Sequence, residues 1–413
     1  MPKLDCIASR LSERLRISQN LVYEITDMAK GVGLLVGAQP GFKLRMIGTA
    51  APVFPGYEVD ICDRVSDSDK PDAVWHRERA RKIVAAHPEI KSLMGNSPST
   101  AFWCLLVAGA QIGVALAASW APWWGMLLMA YTLGPWLNIC LFELAHQCNH
   151  NLVFKKTSWN RWLFTITSLP MFLSGHHTWW VEHLVHHNDM GAKKDFISRR
   201  RSFFLLTRRS SPLFIPYSLT MLVMQVLRST LGLIMYLGSL VRGRTEPGNK
   251  ALVVLTDEHL ASGYRKNGIT RWAAAYPLLS LLMTAGVFAV GGWKSVAYLL
   301  LAQAFMTGFL HPLMFGVVLS ISHFYGHGRY QPTASYYGWW NKITFDLGLH
   351  TEHHDLAGIP WHKLYRLRQI APEFYDDLAV IKSYSALGLK FILASTAECE
   401  ARFANEDKRG NAA

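Results

Sequence analysis

Apolar residues in this chain come in long runs rather than in the short alternations of a soluble fold. The span 101–120 is mostly apolar or small and carries no charged side chain, and 123–142 repeats the pattern up to its end. Each run is long enough, as a helix, to cross a hydrocarbon core of about 30 Å. Ala121 and Pro122 alone separate the two, which predicts a tight hairpin, and Trp120, Trp123 and Trp124 cluster at its turn as interfacial anchors do. A second pair, near 272–290 and 295–315, is joined by Gly291 to Lys294 and predicts a second hairpin. The pattern therefore predicts an all-α integral membrane protein with four transmembrane helices arranged as two hairpins.

Shorter segments fill in the rest. Residues 73–86 are polar with helical spacing; His76 and His87 stand isolated there and read as surface histidines. Trp162 to Ser174 is apolar but too short to span, so it reads as interfacial or buried. Residues 212–241 are apolar but contain Arg228, and an arginine at the bilayer centre costs about 2.5–3.5 kcal/mol, so this stretch reads as interfacial helices. Residues 242–271 form a polar connector. The expected organisation is an N-terminal extension over 1–70 to which no chemistry is assigned, a membrane domain over 71–390, and a polar tail over 391–413.

Composition agrees with that reading. Half of the 413 residues are hydrophobic, and the mean hydropathy is positive at +0.12. The net charge of +13 does not point to nucleic acid, because the basic residues border apolar runs instead of forming a separate patch. Residues 143–271 hold 17 Lys/Arg against 7 Asp/Glu, whereas the opposite turns contain only Lys294, which places that segment in the cytosol. Six scattered cysteines without a C-x-x-C fit reduced thiols facing the cytosol. The first apolar run, 31–37, is too short for a signal peptide.

The candidate chemistry lies in three histidine boxes. His146 and His150 are spaced i, i+4; His183, His186 and His187 form H-x-x-H-H; His350, His353 and His354 repeat that spacing. On a helix, each set projects from one side. Two hairpins return the chain to the side it left, so all three boxes fall on one membrane face and form a cytosolic cap. Single histidines are ordinary surface or capping residues far more often than ligands, but eight in three such boxes are not. Eight imidazoles exceed the needs of one ion and indicate two metals, about 3.5–4 Å apart as in other two-metal sites. Imidazole suits iron, copper, zinc and nickel alike, so ligand type leaves the metal open. His311 lies inside the last run, where a buried hydrogen-bonded role suits it; His323, past that run, is the better additional ligand. A metal transporter would need ligands at midplane depth, which this chain lacks apart from His311. A zinc-dependent lipid hydrolase would be favoured by zinc without iron.

These residues resemble the membrane fatty acid desaturase/hydroxylase superfamily. Flanking stretches narrow the resemblance to the sphingolipid (dihydroceramide) Δ4-desaturases. They are Pro88-Glu89-Ile90-Lys91-Ser92-Leu93-Met94, Trp159-Asn160-Arg161-Trp162, Ser335-Tyr336-Tyr337-Gly338, residues 341–360, and Ala371-Pro372-Glu373-Phe374-Tyr375-Asp376. It covers roughly residues 75–385.

The resemblance implies two non-haem irons held by His146, His150, His183, His186, His187, His350, His353 and His354, with His323 as a further ligand. It also implies O2 as co-substrate, a dihydroceramide-like or fatty acyl lipid as substrate, and an external donor of the cytochrome b5 or ferredoxin type. No G-x-G-x-x-G for a flavin or nicotinamide is present, and a basic cytosolic face suits an acidic carrier. The implied residence is the endoplasmic reticulum of a eukaryote or the inner membrane of a bacterium. Gln147, Glu182, Glu352 and Asp355 are candidates for holding the ligands in place. Two positions depart from the family pattern: Gln147 stands where a glutamate usually follows the first histidine, and Asp355-Leu356-Ala357-Gly358 replaces the usual Asp-Phe-Pro-Asn. Spacing does not separate a desaturase from a hydroxylase on this scaffold.

Overall fold

The computed structural model describes residues 71–171, 176–192, 195, 270–307, 311 and 331–387; the expectations for 1–70, 212–241, His323 and the C-terminal tail lie outside these residues. It is mostly helical. Helix α1, Pro71–Ala86, leads through a 3₁₀ turn, Pro88–Leu93, into α2, Thr100–Ala118, and α3, Trp123–Asn149. Both long helices are apolar enough to cross a membrane, as is the stretch Leu278–Met306. Their outward faces carry exposed Phe102, Leu105, Leu127, Leu128, Leu281 and Phe288. Trp120, Trp124 and Trp293 are exposed at one end of the bundle, as expected for the turn.

Helix α3 runs without interruption into the first histidine box, with His150 as its C-cap, despite Pro135 inside it. Its 27 residues give a rod of about 40 Å, so the box stands roughly 10 Å beyond the apolar part. Helix α4, Thr157–Ser168, turns Trp159, Trp162 and Ile166 outward and buries Leu163 and Phe164. Helix α5, His176–Asp189, carries the second box.

The expected third and fourth spans form one helical element, α6, Thr270–Thr307, interrupted at Gly292 (φ 67°, ψ −171°). Such a φ lies in the region that glycine alone adopts freely. Tyr276 near the start of α6 donates to the Ser168 carbonyl at 3.0 Å. Lys294, just past the break, donates to the Ala121 carbonyl at 2.6 Å, and the rings of Trp293 and Trp123 lie 4.6 Å apart. Gln303 near the end accepts from Asn138 Nδ2 at 3.1 Å. That bond belongs to a buried chain in which Tyr298 donates to Gln111, and Gln111 to Asn138. At Gly134 the helices come so close that a Cβ would lie 2.5 Å from that of Ala302.

After 331 the chain forms β1, Ser335–Tyr336, then α7, Trp340–Ile343, α8, His350–Asp355, α9, Trp361–Ile370, and β2, Val380–Ile381. β1 and β2 pair in parallel, Ser335 with Val380 and Tyr336 with Ile381, a small departure from the all-α expectation. The pairing satisfies backbone groups of extended segments on either side of the third box. One apolar cluster joins Ile83, Ile90 and Leu93 to Leu349, Leu356, Ile359, Leu364, Leu367 and Tyr375, so the segment before α2 is packed onto the third box.

Candidate metal centre

Three helices deliver the eight histidines to one place. His146 and His150 leave α3 side by side, with Nε2 atoms 3.0 Å apart. His150 Nε2 lies 2.9 Å from His183 Nε2 on α5, His183 Nε2 lies 3.0 Å from His187 Nε2, and His187 Nε2 lies 3.1 Å from His353 Nε2 on α8. Ligand atoms of these five residues all fall within 4.8 Å of one another. His354 stacks on His187 at 4.2 Å between ring centroids, and His186 and His350 lie 5.1 and 4.6 Å from His354. Imidazole protons on every Nε2 would face one another. The arrangement suits lone pairs converging on shared cations.

Burial first, and neighbouring histidines second, hold His150, His183, His187, His350 and His353 well below the ordinary value of 6.5. They are neutral at pH 7, the state in which imidazole ligates.

A layer of carboxylates surrounds the cluster. Glu143, one turn before the first box, accepts from His146 Nδ1 at 3.0 Å, and Asp195 accepts from His186 Nδ1 at 2.9 Å. A carboxylate only accepts, so each Nδ1 carries the proton and each Nε2 is left as an acceptor toward the cluster. Gln147 donates to Glu143 at 2.7 Å and accepts from the Trp361 amide at 3.0 Å. Glu352 points away from the histidines and accepts from Ser335 and Tyr337, each at 2.5 Å. Burial pushes its carboxyl upward. Asp355 also points away, to His76 Nδ1 at 2.6 Å and to Arg79 at 3.0 and 3.1 Å.

The loop before the third box is held in an unusual conformation. Phe345 and Asp346 both have φ 55°, a left-handed geometry uncommon for residues other than glycine. Asn341 holds it there: its carbonyl accepts from the Asp346 amide at 3.0 Å, and its side chain bonds the Gly348 amide and the Tyr336 carbonyl. Burial and the nearby Glu143 push the Asp346 carboxyl up to about 6.

The eight box histidines thus lie together, and Gln147, Glu352 and Asp355 sit behind them. His323 and the Glu182 side chain lie outside the described residues. The reading of His76 as a surface residue is corrected: it is 4% exposed, because its ring nitrogens bridge Asp355 and Thr333 and its ring lies 5.2 Å from that of His354. His87 remains outside, beside Glu89 and Glu373. Glu143, Asp195, Arg79, Ser335 and Tyr337 were not evident from the histidine spacing. Glu143 alone had a local signal, standing i−3 from His146 on the same helix face.

A buried set of convergent histidines beside long apolar helices defines a candidate metal centre at the end of a membrane-type helix bundle. The chain belongs to the fatty acid desaturase family, whose model matches residues 118–385. The model of the sphingolipid Δ4-desaturase segment matches residues 66–99, which contain His76 and Arg79. Among curated relatives, the sphingolipid delta(4)-desaturase DES1-like of Oryza sativa subsp. japonica is 30% identical over 324 residues, covering 78% of this chain and 87% of its own length. The sphingolipid delta(4)-desaturase/C4-monooxygenase DES2 of Homo sapiens is 30% identical, covering 73% of this chain and 83% of its own. The sphingolipid delta(4)-desaturase of Schizosaccharomyces pombe is 27% identical, covering 81% and 87%. No solved structure matches.

Proposed function

We propose that this protein is an O2-dependent membrane desaturase that places a double bond at the Δ4 position of a dihydroceramide-type sphingolipid. The observation that carries the reading is the five-histidine cluster, with His186, His350 and His354 beside it, in a chain whose curated relatives bear that activity in their names. The eight box histidines would hold two non-haem irons, with His323 as a further ligand. Bound there, the metals would supply the O2 activation needed to remove two hydrogens from an unactivated hydrocarbon chain.

The protein's own part is geometric. Buried histidines keep the site dry and neutral, and carboxylates set their proton positions. The lipid chain would run among the long helices with its polar head at the cytosolic face. The break at Gly292 supports reading α6 as two spans, which makes four in total with all three boxes in the cytosol. Residues 71–390 then form one membrane domain in the endoplasmic reticulum or a bacterial inner membrane. Electrons would come from an acidic carrier of the cytochrome b5 or ferredoxin type.

A second reading is hydroxylation on the same scaffold, favoured by the human relative named as both desaturase and C4-monooxygenase. Lipid mass spectrometry on cells expressing the chain and fed a saturated dihydroceramide separates the two, beside a His183→Ala control. A product lighter by two hydrogens and absent from the control supports desaturation. A product heavier by one oxygen moves the assignment to hydroxylation. No change in a metal-loaded protein supplied with electrons rejects the sphingolipid assignment.

A further inference from the structure

Four groups form a hydrogen-bonded line from the start of α9 to the first histidine. The Trp361 amide lies 3.0 Å from Gln147 Oε1, Gln147 Nε2 lies 2.7 Å from Glu143 Oε1, and Glu143 Oε2 lies 3.0 Å from His146 Nδ1. Glu143 and Gln147 are 3% and 1% exposed, so water does not substitute for any of these partners. The direction of the line follows from donor and acceptor chemistry. A backbone N–H only donates, so the Gln147 atom facing Trp361 is oxygen and its other end is the NH2. That NH2 needs an acceptor, which the carboxylate provides. The carboxylate leaves His146 Nδ1 no choice but to donate.

We propose that Glu143 is the positioning residue that sets the tautomer of His146, and that the α9 amide and Gln147 form a one-way relay that holds its carboxylate in place for that bond. This rests on the metal-centre reading above. The parity makes a sharp test. In Glu143→Gln, each amide orientation sets an N–H against an N–H, at Gln147 or at Trp361, or else forces the His146 proton onto Nε2, where it faces the cluster. In Gln147→Glu, two carboxylates meet. In the double exchange Glu143→Gln/Gln147→Glu, the two side chains trade roles. The relocated carboxylate accepts both from the Trp361 amide and from the relocated side-chain NH2. The oxygen of that side-chain amide accepts from His146 Nδ1. Every bond has a donor and an acceptor again, and the net charge is unchanged.

The experiment is a Co2+ titration of the full chain in detergent, followed by visible absorption, with thermal melts on the same samples. Glu143→Gln is expected to weaken Co2+ binding on the order of 10–100-fold, as for other groups that orient metal ligands, and to change the band shape. The double exchange is expected to restore both. Parent-like Co2+ binding by Glu143→Gln overturns the proposal. So does a double exchange that melts like the parent yet binds as weakly as the single variant. Failure of the parent itself to take up Co2+ overturns the metal-centre reading and the relay with it; differences between variants of a Co2+-binding parent bear on the relay alone.

Discussion

Asp355→Ala removes the group through which the segment before the spans grips the third box. The Asp355 side chain is fully buried, and that of Arg79 is 15% exposed. Asp355 accepts from His76 Nδ1 at 2.6 Å and from Arg79 through Nε, shared between its two oxygens at 3.3 and 3.1 Å, and Nη2 at 3.0 Å. Truncation leaves the guanidinium and an imidazole N–H without their acceptor in a closed site. Breaking one partner out of a buried pair costs about 3–5 kcal/mol. Arg79 keeps its bond to the Phe374 carbonyl at 2.7 Å and its place over Trp75, so the expected loss is near the lower bound, about 3 kcal/mol. The assay is denaturation of the detergent-solubilised protein with metal content measured in parallel. Arg79→Leu, alone and with Asp355→Ala, completes a double-mutant cycle in which removing both partners costs less than the sum. A loss under about 1 kcal/mol for Asp355→Ala, the level of an exposed ion pair, would refute the argument. So would simple additivity in the cycle.

Gly134→Ala puts a methyl 2.5 Å from the Ala302 Cβ, so it is expected to cost about 1–3 kcal/mol; recovery on adding Ala302→Gly, seen as a restored melting temperature, checks the cause. Asn138→Leu breaks the buried bonds to Gln111 at 2.8 Å and Gln303 at 3.1 Å. At about 0.6 kcal/mol for each interhelical bond in a membrane, the expected loss is about 1 kcal/mol, readable from unfolding in mixed micelles. For the histidines the sign runs one way. Their folded-state pKa values lie below 6.5, so the unfolded chain binds more protons below that pH, and the stability they contribute is complete above 6.5 and declines as the pH falls beneath it. Dialysis from pH 7.5 to 5, round values bracketing the ordinary histidine pKa, is therefore expected to release metal and lower the melting temperature; full retention of both would contradict the neutral-cluster reading.

Much of this protein was legible in one dimension. The long apolar runs predicted α2 and the start of α3 within a few residues, because a helix with no charge over some twenty positions has few alternatives, while α3 continues seven residues past its apolar run. Histidine spacing brought out the eight candidate ligands, since i, i+3 and i+4 positions share a helix face whatever the helix later packs against. The local period also carried Glu143, but an isolated glutamate in an apolar helix gives no hint of its partner. The opposite holds for His76 and Arg79. They lie 279 and 276 residues from the carboxylate they bind, and no local pattern encodes a contact across that distance.

The sequence by itself therefore determined the long apolar helices and the histidine boxes, because these depend on hydrophobicity and on side-chain period along one element, and its resemblance to a family supplied the class of chemistry. Only the tertiary structure decided which carboxylate orients which imidazole and that α1 closes over the third box. It also turned Glu352 and Asp355 away from the cluster. Those choices depend on packing between segments remote in the chain, where a buried polar group takes whichever partner the fold brings within reach.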